Sequence, residues 1–348
     1  MSHLDLIWLT ALVLVAGALL WMAALILLRL RRARVGRRRA LERREIMDAL
    51  LGLLAGDDTA TARLAPFVAR PRLMGEIVVE FRSLVRGDDH ERVQHELRRL
   101  GLPAALSERV AKGSKAGRLA SLEALSALGG PEAEAVLQAA LRQADADVRL
   151  AALKGLVDAG ATIDLARMLD DLVAGAFGHS RLIAEIIRGT AARDALPSIA
   201  ALERTDLDGF ARALLIDGLG ASGDYRAIPR LLEAARDRDF EARAAVARAA
   251  GQLMHPALQP ALAILLEDPA WPVRASAGEA VGQAGFTTLA DPLARLLEDP
   301  QWWVRFRAAE ALCRLGASGA AHLKRAGMSG NPLASHTAEL AIAEARAA

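Results

Sequence analysis

LADPLARLLEDPQWWVRFRAAEALCRLG, residues 289–316, carries the reading that decides the fold. Apolar residues recur three and four positions apart up to Leu297, the spacing of one helical face. Asp299-Pro300 then stops the helix, because proline has no N–H to continue the ladder. A second apolar-periodic run, RFRAAEALCRLG, starts at Arg305 and ends on Gly316. Glycine closes a helix well because it takes the left-handed conformation that a Cβ resists. The same layout stands one step earlier, as LQPALAILLEDP (258–269) followed by RASAGEAVGQAG (274–285).

Working outward, the arginine recurs at Arg118, Arg149, Arg181, Arg212, Arg243, Arg274 and Arg305, at spacings of 31, 32, 31, 31, 31 and 31 residues. Eleven residues after five of them stands Gly129, Gly160, Gly223, Gly285 or Gly316; the other two places hold Ala192 and Met254. The unit is helix, short turn, helix, glycine turn. Neither helix buries its apolar stripe alone, so adjacent units must stack. The composition agrees: 53% hydrophobic but only 4% aromatic, rich in alanine and leucine, which favours helix over strand. The expectation is an all-α chain, an α-solenoid of two-helix units with a period of 31.

On these residues the chain resembles the HEAT repeat family, in its short bacterial form of lyase-type repeats. That resemblance covers roughly residues 100–348 and implies an aspartate in the turn with an arginine six residues on. The matching residues are Asp206 with Arg212, Asp237 with Arg243, Asp268 with Arg274, and Asp299 with Arg305, a structural ladder that holds neighbouring units in register. The three earlier units have Lys112, Gln143 and Gly175 at the aspartate place. The resemblance speaks to fold; it names no activity.

The ends of the chain differ from its middle. Residues 4–28, LDLIWLTALVLVAGALLWMAALILL, hold one charge, Asp5. At ~1.5 Å per residue such a run is long enough for a ~30 Å hydrocarbon core. Residues 29–44 hold nine arginines, among them Arg29, Arg31, Arg32, Arg34, Arg37, Arg38 and Arg39, against Glu42 alone. Positive charge flanks the cytoplasmic side of a span. The sequence therefore predicts a transmembrane helix over 1–28 with its N-terminus outside, and a basic segment over 29–45 lying on anionic lipid. It places residues 46–115 as degenerate repeats or a cap, and 116–348 as the array with a C-terminal cap, on the cytoplasmic face of a bacterial inner membrane. With the whole chain at +2, Asp5 at −1 and the arginine segment at +8, residues 45–348 carry −5. An acidic array disfavours nucleic acid as a partner. The lone Cys313 excludes an internal disulfide.

Chemistry-bearing motifs are few. Gly218-Leu219-Gly220-Ala221-Ser222-Gly223 matches GxGxxG but closes a helix, whereas a dinucleotide loop opens one after a strand. His90 and His95 are five apart, about 140° round a helix, unlike zinc-binding pairs four apart. No cofactor or metal is expected. One row stands out: Phe240, Trp271 and Trp302 lie three residues before successive arginines, with Trp303 adjacent. Such rings are enriched at binding hot spots, and equally they pack on the next unit. The expected function is a non-enzymatic membrane-anchored scaffold for a protein partner, such as an inner-membrane enzyme or polysaccharide synthase complex. The rival readings are a HEAT-like repeat enzyme, either a lyase or a metal-dependent hydroxylase relative, and a nucleic-acid-binding solenoid.

Overall fold

The computed structural model describes residues 3–57, 59–85, 87–177 and 180–347. These residues form helices and turns, with no strand among them. The chain divides into two compact units, Met1–Val136 and Leu137–Ala348. The boundary falls 21 residues beyond the 115/116 border read from the sequence, so the Arg118 repeat lies within the first unit.

The first unit contains α1 (His3–Leu54), α2 (Ala60–Val68), α3 (Pro71–Leu84), α4 (Asp88–Arg99), α5 (Leu102–Lys112) and α6 (Lys115–Leu128), with α7 (Pro131–Ala140) crossing the boundary. α3 packs on α6, and α5 on α6. Gly75 permits the first approach, since a Cβ there would meet the Ala124 Cβ at 2.9 Å. Among the described residues α1 enters this core at its C-terminal end, where Ile46, Ala49 and Leu50 are fully buried. Arg70 pairs there with Glu42, and Arg43 with Glu80.

The predicted single-pass membrane span and the inner-membrane placement are corrected by this helix. Among the described residues, no helix is long and apolar enough to cross a membrane. Arginine is a good helix former, so α1 runs unbroken from His3 through the arginine run to Leu54. Its lower half is charged, and only from Ile46 on is it packed into the unit. The side chains of residues 1–16 and of Arg32 lie outside the described residues. Arg29, Arg31, Arg34, Arg37, Arg38 and Arg39 are exposed, Arg38 bonding Glu42 at 3.0 Å.

The second unit contains α8 (Ala146–Ala159), α9 (Leu165–Val173), α10 (Arg181–Arg193), α11 (Leu196–Ala201), α12 (Gly209–Ser222), α13 (Ile228–Ala234), α14 (Phe240–Leu253), α15 (Gln259–Leu265), α16 (Trp271–Ala284), α17 (Ala290–Arg295), α18 (Trp302–Arg314), α19 (Gly316–Gly327) and α20 (Pro332–Ala347). α8, α10, α12, α14, α16 and α18 form one layer, each packed on the next. The shorter α11, α13, α15 and α17 each pack against the following long helix. Between the layers lie Leu231, Val246, Leu262, Val281, Leu293 and Leu312, all fully buried.

Small residues set the spacing of the long helices. A Cβ on Gly220, Gly251 or Gly282 would meet the Cα of Ala249, Ala280 or Ala311 at 2.6, 3.1 or 2.6 Å. The three glycines stand 31 apart, as do the three alanines. Two glycines of the GxGxxG match are thus helix-packing residues, Gly218 against Ile187 and Gly220 against Ala249. The third, Gly223, is the left-handed stop at φ 72°. Gly160 and Gly285 close α8 and α16 in the same way. Met254 takes that conformation without being glycine, at φ 50°.

Candidate partner-binding surface

The turns that precede α14, α16 and α18 share one geometry. Each aspartate stands three residues before the helix start and accepts the N–H two residues on: Asp237 from Asp239 at 2.8 Å, Asp268 from Ala270 at 2.9 Å, Asp299 from Gln301 at 2.8 Å. The same carboxylate is gripped by the arginine of the preceding repeat. Arg243 Nε and Nη2 reach Asp268 at 2.6 and 2.8 Å, and Arg274 reaches Asp299 at 2.7 and 3.1 Å. Arg212 lies 2.8 Å by Nε and 3.1 Å by Nη2 from Asp237. Only the second of these has hydrogen-bond alignment, and Arg212 Nε lacks a partner by that criterion.

The third guanidinium nitrogen turns back onto its own loop. Arg243 Nη1 donates to the Asp237 and Arg238 carbonyls at 2.8 and 3.2 Å, Arg274 Nη1 to those of Asp268 and Pro269 at 2.7 and 3.1 Å. Each arginine therefore ties its own turn to the next one. The ion pairs run between repeats, 25 residues apart, and within a repeat the arginine meets the aspartate's carbonyl. A planar fork suits this two-sided grip in a way an ammonium does not.

Two of the sequence-derived ladder residues stand at its ends. Asp206 is taken by Arg204 at 2.6 and 3.0 Å, a short-range pairing that the period did not disclose. Arg204 also bridges to Asp170 at 2.7 Å, and the two carboxylates hold its guanidinium more firmly protonated than usual. At the other end Arg305 Nη1 binds the Asp299 and Pro300 carbonyls at 2.8 and 3.1 Å, while its buried Nε has no partner.

The aromatic row sits directly on this ladder. Phe240, Trp271 and Trp302 are the first residues of α14, α16 and α18 rather than turn residues. Each lies three residues from an aspartate on one side and from a ladder arginine on the other. Their exposures are 45%, 43% and 57%, with Trp303 at 41%. Trp302 and Trp303 stack with Phe306 at 5.3 and 5.4 Å between centroids. Arg307 lies over Trp303 at 4.9 Å, a cation–π contact, and is itself held by Glu310 at 3.0 Å. The structure thus presents rings of large area, with paired charges beneath Phe240 and Trp271.

His90 and His95 both lie on α4 in the first unit. The His90 ring bonds Gln94 at 2.8 Å, and Gln94 donates onward to the Ala127 carbonyl. Burial, helped by Arg82, lowers the His90 pKa and favours the neutral ring. Among the described residues no three His, Cys, Asp or Glu side chains are grouped to hold a metal.

A family model described as HEAT repeats matches residues 195–281 and 258–343, the stretch from α11 into α20. Comparison with curated proteins gives no match. Among solved structures the chain is similar to human deoxyhypusine hydroxylase in complex with glycerol, at 17% identity over 71% of this chain and 96% of that one, TM-score 0.31. An engineered protein gives 15% identity over 87% and 99%, TM-score 0.38. A Kap121p mutant gives 13% over 86% and 44%, TM-score 0.42. At these scores the three likenesses carry no argument about function.

Proposed function

We propose that this protein is a non-enzymatic scaffold that binds a protein partner along the aromatic row Phe240, Trp271, Trp302 and Trp303. The observation that supports it is the exposure of these rings, since large apolar side chains left 41–57% open gain little from the fold itself. Rings needed only for packing belong among the fully buried residues. A regular spacing on successive helix starts suits an extended partner that crosses several repeats. The paired charges beneath Phe240 and Trp271 favour this use, because a partner need not desolvate a lone aspartate or arginine there.

The test is affinity capture with the full-length chain and with its Trp271→Ala/Trp302→Ala variant, followed by mass spectrometry. The proposal expects a protein retained by the parent chain and lost by the variant, with affinity falling about thirtyfold or more per ring. A partner held equally by a folded variant would contradict it.

A further inference from the structure

The unpartnered end of the ladder coincides with a pocket. A cavity of about 480 Å³ opens between α18 and α20, walled by Trp302, Phe306, Leu333 and Leu340, with Arg305 and Cys313 among its lining residues. In each of the three preceding repeats, Nε and Nη2 of the arginine point to the carboxylate of the next turn. Arg305 has the same backbone anchor, but among the described residues no such acid is paired with it, and its buried Nε has no partner there. The residue three positions before α20, where the other turns place aspartate, is Ser329, whose Oγ is also buried and unpartnered.

The pocket has a steric origin visible in the 31-residue register. Gly220, Gly251 and Gly282 admit the next helix to contact with an alanine backbone. The next residue in that series is Cys313, whose Sγ meets the Ala341 carbonyl at 3.9 Å. A side chain in the glycine place holds α20 off α18, and the gap becomes the cavity.

We propose that this pocket binds a small monocarboxylic acid with an apolar body, aromatic or short aliphatic. Arg305, which lines the cavity, pairs with the carboxylate through its guanidinium. The volume lies in the range of small-molecule sites and the walls are mostly apolar. Glu310 is committed to Arg307 and Arg314, whereas Glu344 also lines the cavity and selects against a second negative charge.

Cys313 supplies a readout in place, being the only cysteine in the chain. The full-length protein is alkylated with N-ethylmaleimide in the presence of 2-naphthoate or the uncharged 2-naphthamide. The proposal expects saturating 2-naphthoate to slow Cys313 alkylation at least tenfold, and the amide to need at least tenfold higher concentration for the same protection. Arg305→Gln, if circular dichroism shows it folded, loses the protection by the acid. If that variant does not fold, the acid–amide comparison on the parent chain decides alone. Equal protection by the two compounds, or protection by neither, overturns the proposal.

Discussion

At the residue scale the stack is held by guanidinium forks. Arg274 makes four hydrogen bonds, two to Asp299 and two to its own turn, in a largely buried setting. Arg274→Ala leaves the Asp299 carboxylate buried without its cation and should destabilise the protein by about 2–4 kcal/mol. Arg295→Ala removes an exposed pair with Glu267 and should cost under about 0.5 kcal/mol. Urea unfolding of both variants checks the contrast; equal losses would deny the ladder a structural role. Met254 is the only non-glycine residue at positive φ among those described. Met254→Gly should therefore raise stability by about 0.5–1 kcal/mol, read as a higher urea midpoint. The thiol of Cys313 is pushed upward by burial, with Glu344 and Glu310 adding to it. A raised pKa means less thiolate at a given pH. Its alkylation should be slower than that of a free cysteine peptide at pH 8, with the pH–rate midpoint displaced upward.

At the element scale the long helices pack through glycine–alanine contacts. Gly282→Val puts a branched side chain where a Cβ alone meets Ala311 at 2.6 Å, and should cost about 1–3 kcal/mol or more by overpacking. Gly330→Ala, with nothing within 4 Å, should be close to neutral, and thermal unfolding of both variants checks the contrast. The helix-turn-helix unit was legible because periodicity, the Asp-Pro stops and the glycine stops all act within one repeat. The glycine triad was not, since its meaning depends on which helices become neighbours; Gly220, Gly251, Gly282 and Cys313 were nonetheless in the sequence at one spacing. The ladder arginines were legible as residues, while their true partners 25 positions on were not, because the turn and the stack both had to be built first. α1 was misread for a related reason. An apolar run beside a basic run reads as two segments, yet no residue between Leu28 and Leu54 ends the helix.

At the scale of the molecule, the second unit combines a rigid interior with an edge of half-open rings. The interior combines alanine contacts between the long helices with buried leucine and valine between the layers, while the rings of the aromatic row stand at the rim. Function then rests on whether the rim rings serve the fold or a partner. The most direct measurement is equilibrium unfolding of the full-length Trp271→Ala/Trp302→Ala variant. Surface rings predict a loss below about 2 kcal/mol in total, with the helical circular dichroism spectrum unchanged. Rings that close the core predict about 3–5 kcal/mol at each site, and that result would contradict the account.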